Sequence, residues 1–292
     1  MRPLDRVIDA VDRVQQRHRA SAVAVAVLKK YGEDNGRRVA AAIAFYGFFS
    51  IFPLILVLVS VLGLVLHGND DLRHRILNTA LAQFPVIGTD IKANVGAATG
   101  SVVAVVAGVL GALWAGTAAF TTLQLALDQV WGVPWAKRRK PMARRLRSIF
   151  AVALIGAGLI GVTIVTSVLA GIRGPFGIVG RILLTAATAA VVSALFAGVF
   201  RWLTSAEVSW RSVLPGAVLA GIGWVLLGAV GGIYITRIVQ GASDTYGVFA
   251  VVIGLLSWLL LLGQLVLYAA ELNVVLTQSR WPRSLREENL NK

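Results

Sequence analysis

Residues 40–66 read AAAIAFYGFFSIFPLILVLVSVLGLVL, 27 consecutive positions without Lys, Arg, Asp or Glu. A helix crosses the hydrocarbon of a bilayer in about 20 apolar residues, so this stretch is long enough to span. The pattern recurs along the chain, and further crossings are expected at 101–131, 148–171, 180–203, 213–235 and 246–276. Of the 292 residues, 57% are hydrophobic and 14% charged, against about 25% charged in a soluble domain. The fold class that follows is all-α. It is a polytopic membrane bundle of six transmembrane helices over 37–278, preceded by an amphipathic and elbow segment (1–36) and followed by a tail (279–292).

The remaining charges are sorted by side. The N-terminal segment holds nine Lys and Arg, the loop after the second crossing seven, the loop after the fourth two and the tail four. The opposite side holds six. This asymmetry predicts a multi-pass plasma membrane protein with both termini in the cytoplasm. A net charge of +14 would suggest nucleic acid as the partner of a soluble protein. Here the positive-inside rule and contact with anionic lipid account for it, so the expected partners are membrane lipids, anionic ones included, and no nucleic acid. A homo-oligomer is left open.

The chain has no cysteine, which excludes disulfides and thiolate chemistry. A metal site at His67 and His74 is not expected, nor is a cofactor. The charged first 20 residues have no apolar core or cleavage pattern, so no signal peptide is expected. Gly156-Ala-Gly158-Leu-Ile-Gly161 matches the dinucleotide-binding glycine pattern but sits in an apolar helix with no preceding strand, and reads as a packing face.

Outside the spans, Leu4, Val7, Ile8, Val11 and Val14 recur at helical spacing, as in an amphipathic helix lying on the inner surface. Ala20 to Leu28 is apolar but too short to span, and reads as an elbow. In the outer loop 67–100, Leu72, Ile76, Ala80 and Phe84 form one helical face that Pro85 stops, and short interfacial helices are expected there.

Three motifs carry a family resemblance: Ala40 to Leu54 with Tyr46, Ser50 and Pro53; Trp114-Ala-Gly116 followed by Leu123-Gln-Leu-Ala-Leu-Asp128-Gln-Val-Trp131; and Tyr246-Gly247 through Ala270-Glu271-Leu-Asn273. In that order they resemble the YihY/BrkB family of inner-membrane proteins, over roughly residues 25–280. The resemblance implies a helical membrane protein. It also implies links to envelope integrity, serum resistance, movement of lipopolysaccharide precursors and, in related members, ion exchange, together with an old ribonuclease label.

Ionisable groups inside a membrane are costly and therefore candidates for function. Thr117, Thr121, Gln124 and Asp128 form one stripe of the second crossing, and Gln264, Tyr268 and Glu271, with Asn273 beyond, line the sixth. Tyr46 and Ser50 lie at comparable depth on the first, ahead of a kink expected at Pro53. These three helices are expected to enclose a polar substrate cavity opening inward, lined by Tyr46, Ser50, Pro53, Thr121, Gln124, Asp128, Gln264, Tyr268, Glu271 and Asn273. The alternative is that Asp128 and Glu271 only pair with loop cations such as Arg144 or Arg145. Arg144, Arg145 and Arg147 suit lipid phosphate, because guanidinium pairs with it bidentately. Their alternative is to set topology alone.

The function that follows is a transporter or flippase-like protein for an amphiphilic envelope lipid or lipid-linked precursor, and not an enzyme. The rivals are a cation/proton antiporter using the intramembrane acids and a non-transporting envelope scaffold. Ribonuclease chemistry would need metal-binding acids or histidines presented to water, for which only Asp128 and Glu271 are candidates. Gly228 and Gly232 in the fifth crossing suggest a tight helix interface. Trp131, Trp135, Trp202, Trp210 and Trp281 read as interface anchors, whereas Trp114, Trp224 and Trp258 lie deeper and read as packing residues.

Overall fold

The computed structural model describes residues 12, 17–65, 102–152, 154, 158, 177–234 and 248–283. Among them are seven α-helices and no strand: α1 Arg19–Glu33, α2 Gly36–Val65, α3 Val102–Val130, α4 over 141–152, α5 Gly177–Leu203, α6 Trp210–Tyr234 and α7 Val248–Thr277. Helices α2, α3, α5, α6 and α7 fall on five of the six expected spans, within four residues at either end. Most of the third expected span, most of the amphipathic segment 4–14 and the outer-loop helices lie outside the described residues. Ile182–Leu203, Trp210–Gly231 and Val252–Thr277 are long and apolar enough to cross a membrane.

Local chemistry sets where these helices stop. Asp34 and Asn35 separate α1 from α2, and Asn35 adopts φ 55°, a left-handed conformation that Asn tolerates. At the end of α3, Gly132 has φ 67°, its N–H bonds Gln129 O (2.9 Å), and Val133 N–H bonds Asp128 O (2.8 Å). That pair of bonds is a Schellman stop, with buried Val133 as its apolar clasp and Pro134 barring continuation. Pro53 lies inside the continuous α2.

Helix α7 runs through the middle, packed on α1, α2, α3 and α6, while α2 pairs with α3 and α5 with α6. Small residues let these backbones approach closely, as suits helices that lipid cannot squeeze together. A Cβ on Gly216 would lie 2.0 Å from Ala269 O, one on Gly221 2.1 Å from Ser193 Oγ, and one on Gly263 3.0 Å from Ala40 O. Among the described residues, a Cβ at Gly228 would meet nothing within 4 Å, and the packed face of the first half of α6 is carried by Gly216, Ala217, Ala220 and Gly221.

Burial concentrates at one end of the bundle, where Leu127, Phe200, Leu203, Val213, Ala217 and Val274 share a core. Toward the other end Val103, Leu110, Ile182, Leu226, Val230 and Phe249 are exposed. Hydrocarbon, unlike water, exacts nothing for such a surface. Trp258 is buried and Trp224 half-buried, as packing residues should be, but Trp114 is 72% exposed and projects from the bundle.

Candidate functional site

The bonds between helices gather the C-terminal ends of α3, α5 and α7 with the N-terminal ends of α2, α4 and α6. Here the polar side chains of the spans are buried, and they form four separate joints.

The first joint is built on Asp128, in the last turn of α3 and 3% exposed. Its Oδ1 accepts the Ser205 N–H (2.5 Å) and Thr204 Oγ1–H (3.3 Å), and its Oδ2 accepts Ser205 Oγ–H (2.9 Å). The carbonyls left open by the end of α5 are met by one arginine of the 131–140 loop and one of α4. Arg139 Nη1 donates to Leu203 O (3.0 Å) and Thr204 O (2.6 Å), and Arg147 Nη1 to Trp202 O (2.7 Å). Burial and the nearby Arg147 push the Arg139 pKa down, and Asp128 opposes them.

The second joint holds α3 to α4. Gln124 Nε2 donates to Ser148 Oγ (2.8 Å) and Arg144 O (3.1 Å), and Thr121 Oγ1 lies 3.1 Å from Ser148 Oγ.

The third joint contains an ion pair. Lys30 of α1, 2% exposed, reaches Glu271 Oε2 of α7 at 3.0 Å, and Glu271 is 1% exposed. Lys30 also pairs with Asp34 and donates to Val130 O (2.9 Å) at the end of α3. Tyr31 stacks on Tyr268 at 4.2 Å. Burial, and secondarily Tyr268, push the Tyr31 pKa up. A cavity with room for about one water molecule lies beside the pair, lined by Asp34, Gly36, Val39, Ala126, Gln129, Val130, Leu267 and Glu271.

The fourth joint crosses from α6 to α7. Pro215 interrupts the hydrogen-bond ladder of α6, and next to it the Gly216 N–H donates to Asn273 Oδ1 (2.7 Å). Asn273 Nδ2 is buried without a partner among the described residues.

The ten residues expected to line one cavity are thus distributed. Of them, only Glu271 lines the water-sized space just described. Thr121 and Gln124 face α4, Asp128 faces the 204–205 turn, Glu271 and Tyr268 face α1, and Asn273 faces α6. Gln264 is half-buried, Tyr46 is 38% exposed, and Ser50 bonds Gly47 O of its own helix. The acids turn to Ser205 and Lys30 rather than to Arg144 or Arg145. Of the three arginines expected to meet phosphate, Arg147 is bound to Trp202 O and Arg144 is half-buried with Nη2 3.4 Å from Arg139 O, while Arg145 is exposed.

Lys30, Asp34, Ser148, Thr204, Ser205 and Arg139 were not singled out by the sequence pattern. A signal did exist for Lys30: it continues the buried stripe Ala22, Ala26 and Lys30 at fourfold spacing.

Residues 27–291 match the family described as virulence factor BrkB. The chain belongs to the BrkB family. Its relatives include a protein of Bacillus subtilis named as ribonuclease-like protein YfkH, 22% identical over 90% of this chain and 97% of YfkH. UPF0761 membrane protein Mpe_A1422 of Methylibium petroleiphilum is 32% identical over 51% of this chain and 37% of its own length. UPF0761 membrane protein Nmul_A0452 of Nitrosospira multiformis is 27% identical over 87% and 61%. The chain therefore spans YfkH almost fully, but only 37% and 61% of the two UPF0761 proteins. No solved structure matches it. Together with the apolar helices, the family makes this BrkB chain a membrane protein.

Proposed function

We propose that this BrkB protein is a non-enzymatic transporter that moves an amphiphilic envelope lipid or lipid-linked precursor across the plasma membrane, with six crossings and both termini in the cytoplasm. The count of six draws on which helix ends lie together. Helix α4 starts, and α5 finishes, beside the end of α3, which supports counting one crossing between the start of α4 and the start of α5. The basic residues collect at this shared end, which favours the cytoplasmic side for it.

The observation that carries the transport reading is the Lys30–Glu271 pair, buried where α1, α3 and α7 meet. A buried ion pair stabilises a fold no better than apolar side chains of the same volume, so its presence favours a joint that opens and closes. On this reading the four polar joints form an inner gate in its closed state, and the inward cavity exists only when α1 leaves α7.

The chain contains no cysteine, so introduced ones report cleanly. Val27 and Val275 share the α1–α7 contact cluster. In proteoliposomes, oxidising Val27→Cys/Val275→Cys should stop fluorescent-lipid translocation, and reduction should restore it. Translocation at the uncrosslinked rate in fully crosslinked protein would sink the reading.

A second reading, cation/proton exchange, draws on the carboxyl residues Asp34 and Glu271 lining the same small cavity. Proton flux followed with a pH dye, without lipid movement in the same vesicles, would favour it. The ribonuclease-like name belongs to YfkH, and transport of a lipid needs no hydrolytic step.

A further inference from the structure

Seven basic residues lie between 137 and 147, and no Asp or Glu occurs from 129 to 206. Their surroundings differ. Arg139 and Arg147 bind the last carbonyls of α5. Arg138 lies over the Trp135 ring at 4.1 Å and donates to Val133 O. Lys137, Lys140 and Arg145 are exposed. On the face of α4 that carries Arg145, Met142 is 72% exposed, Leu146 62% and Ile149 37%, at i, i+4 and i+7. The nearest acid in sequence, Asp128, is turned inward onto the 204–205 turn.

The depth of this patch is fixed by its own bonds. Arg139 and Arg147 tie it to Trp202, Leu203 and Thr204, where the apolar span Ile182–Leu203 ends. Trp135, 74% exposed beside it, is of the type that settles at headgroup level.

We propose that this surface binds an anionic glycerophospholipid, with its phosphate on Lys137, Lys140 and Arg145 and its acyl chains along Met142, Leu146 and Ile149. The inference rests on α5 spanning the membrane and is independent of the cargo transported. An RNA strand would match the cations but leave the adjoining apolar face in water, whereas a phospholipid satisfies both. Sequence alone nominated Arg144, Arg145 and Arg147 for this task; Arg144 and Arg147 already have partners inside the protein, and only Arg145 of the three stays exposed.

Native mass spectrometry of the full chain in mild detergent, titrated with phosphatidylglycerol or phosphatidylcholine of matched chains, tests it. Wild type should hold the anionic lipid more tightly. Lys137→Gln/Lys140→Gln/Arg145→Gln should weaken that binding by on the order of tenfold or more, since each cation at a membrane surface contributes roughly fivefold. Arg147→Gln should keep the preference while lowering thermal stability. The wild-type preference should also collapse in high salt, a check that needs no variant. Equal anionic-lipid binding in wild type and triple variant would overturn the proposal. So would binding of an RNA oligonucleotide that the triple substitution abolishes, with no discrimination between the two lipids. Binding is read without flux, so failure here is separable from failure of the transport reading.

Discussion

Lys30 and Glu271 meet 3.0 Å apart with almost no exposure; Lys30 is the cation that compensates Glu271 for leaving water, while Lys30 also holds Asp34 and Val130 O. Removing one partner strands a buried charge, at about 3–5 kcal/mol, whereas replacing both with apolar groups of similar volume is often neutral. Glu271→Ala and Lys30→Met should therefore each destabilise the protein strongly in detergent, and Lys30→Met/Glu271→Leu should be more stable than either. Thermal denaturation of the four proteins as a double-mutant cycle checks this. Additive losses would mean that the two side chains do not depend on each other. Asp34 is less committed, since it is partly exposed and sits just before the N-terminus of α2, where the helix dipole favours a negative charge.

At the scale of helices, contact is made where side chains vanish. Gly216 faces Ala269 O and Asn273, and Gly221 faces Ser193 and Ala189 O, so α5, α6 and α7 touch through backbone. Gly216→Ala would force a methyl group against a carbonyl that cannot move without bending α7. A cost of about 1–3 kcal/mol is expected, read as a lower melting temperature in detergent. Gly228→Ala meets none of the described residues and should leave stability unchanged or raise it by about 0.5–1 kcal/mol through helix propensity. The reverse ranking would place the α6 interface on the wrong face.

Across the whole molecule, α1 is held from two directions. Its buried stripe packs on α7, and the segment after α7 returns to it: Trp281 joins the α1–α7 cluster, Arg19 stacks on the Trp281 ring at 5.2 Å, and Arg283 Nη1 lies 2.7 Å from Glu33 Oε2. An exposed ion pair alone contributes about 0–1 kcal/mol, so the apolar Trp281 contact should matter more. Truncation after Gln278 should speed amide hydrogen exchange across 19–33 and leave the α5–α6 pair unchanged. Uniform acceleration would show that the tail supports the bundle generally rather than α1.

Sequence by itself determined the solvent, the positions of five apolar helices and the clustering of the basic charges. Each of these is local: an apolar run such as 40–66 must satisfy its backbone internally wherever its neighbours lie, and Gly132 ends α3 through bonds within five residues. Tertiary structure alone decided the partners. Asp128 and Glu271 looked like members of one cavity because they share a depth, but depth fixes only one coordinate, and the facing direction depends on which helix packs alongside. Thr204 and Ser205, 76 and 77 residues beyond Asp128, and Lys30, far upstream of Glu271, were invisible to periodicity because no spacing rule links residues so distant in the chain. Which arginines stay available for a lipid was settled in the same way, by the position of the α5 carbonyls, a fact of packing rather than of composition.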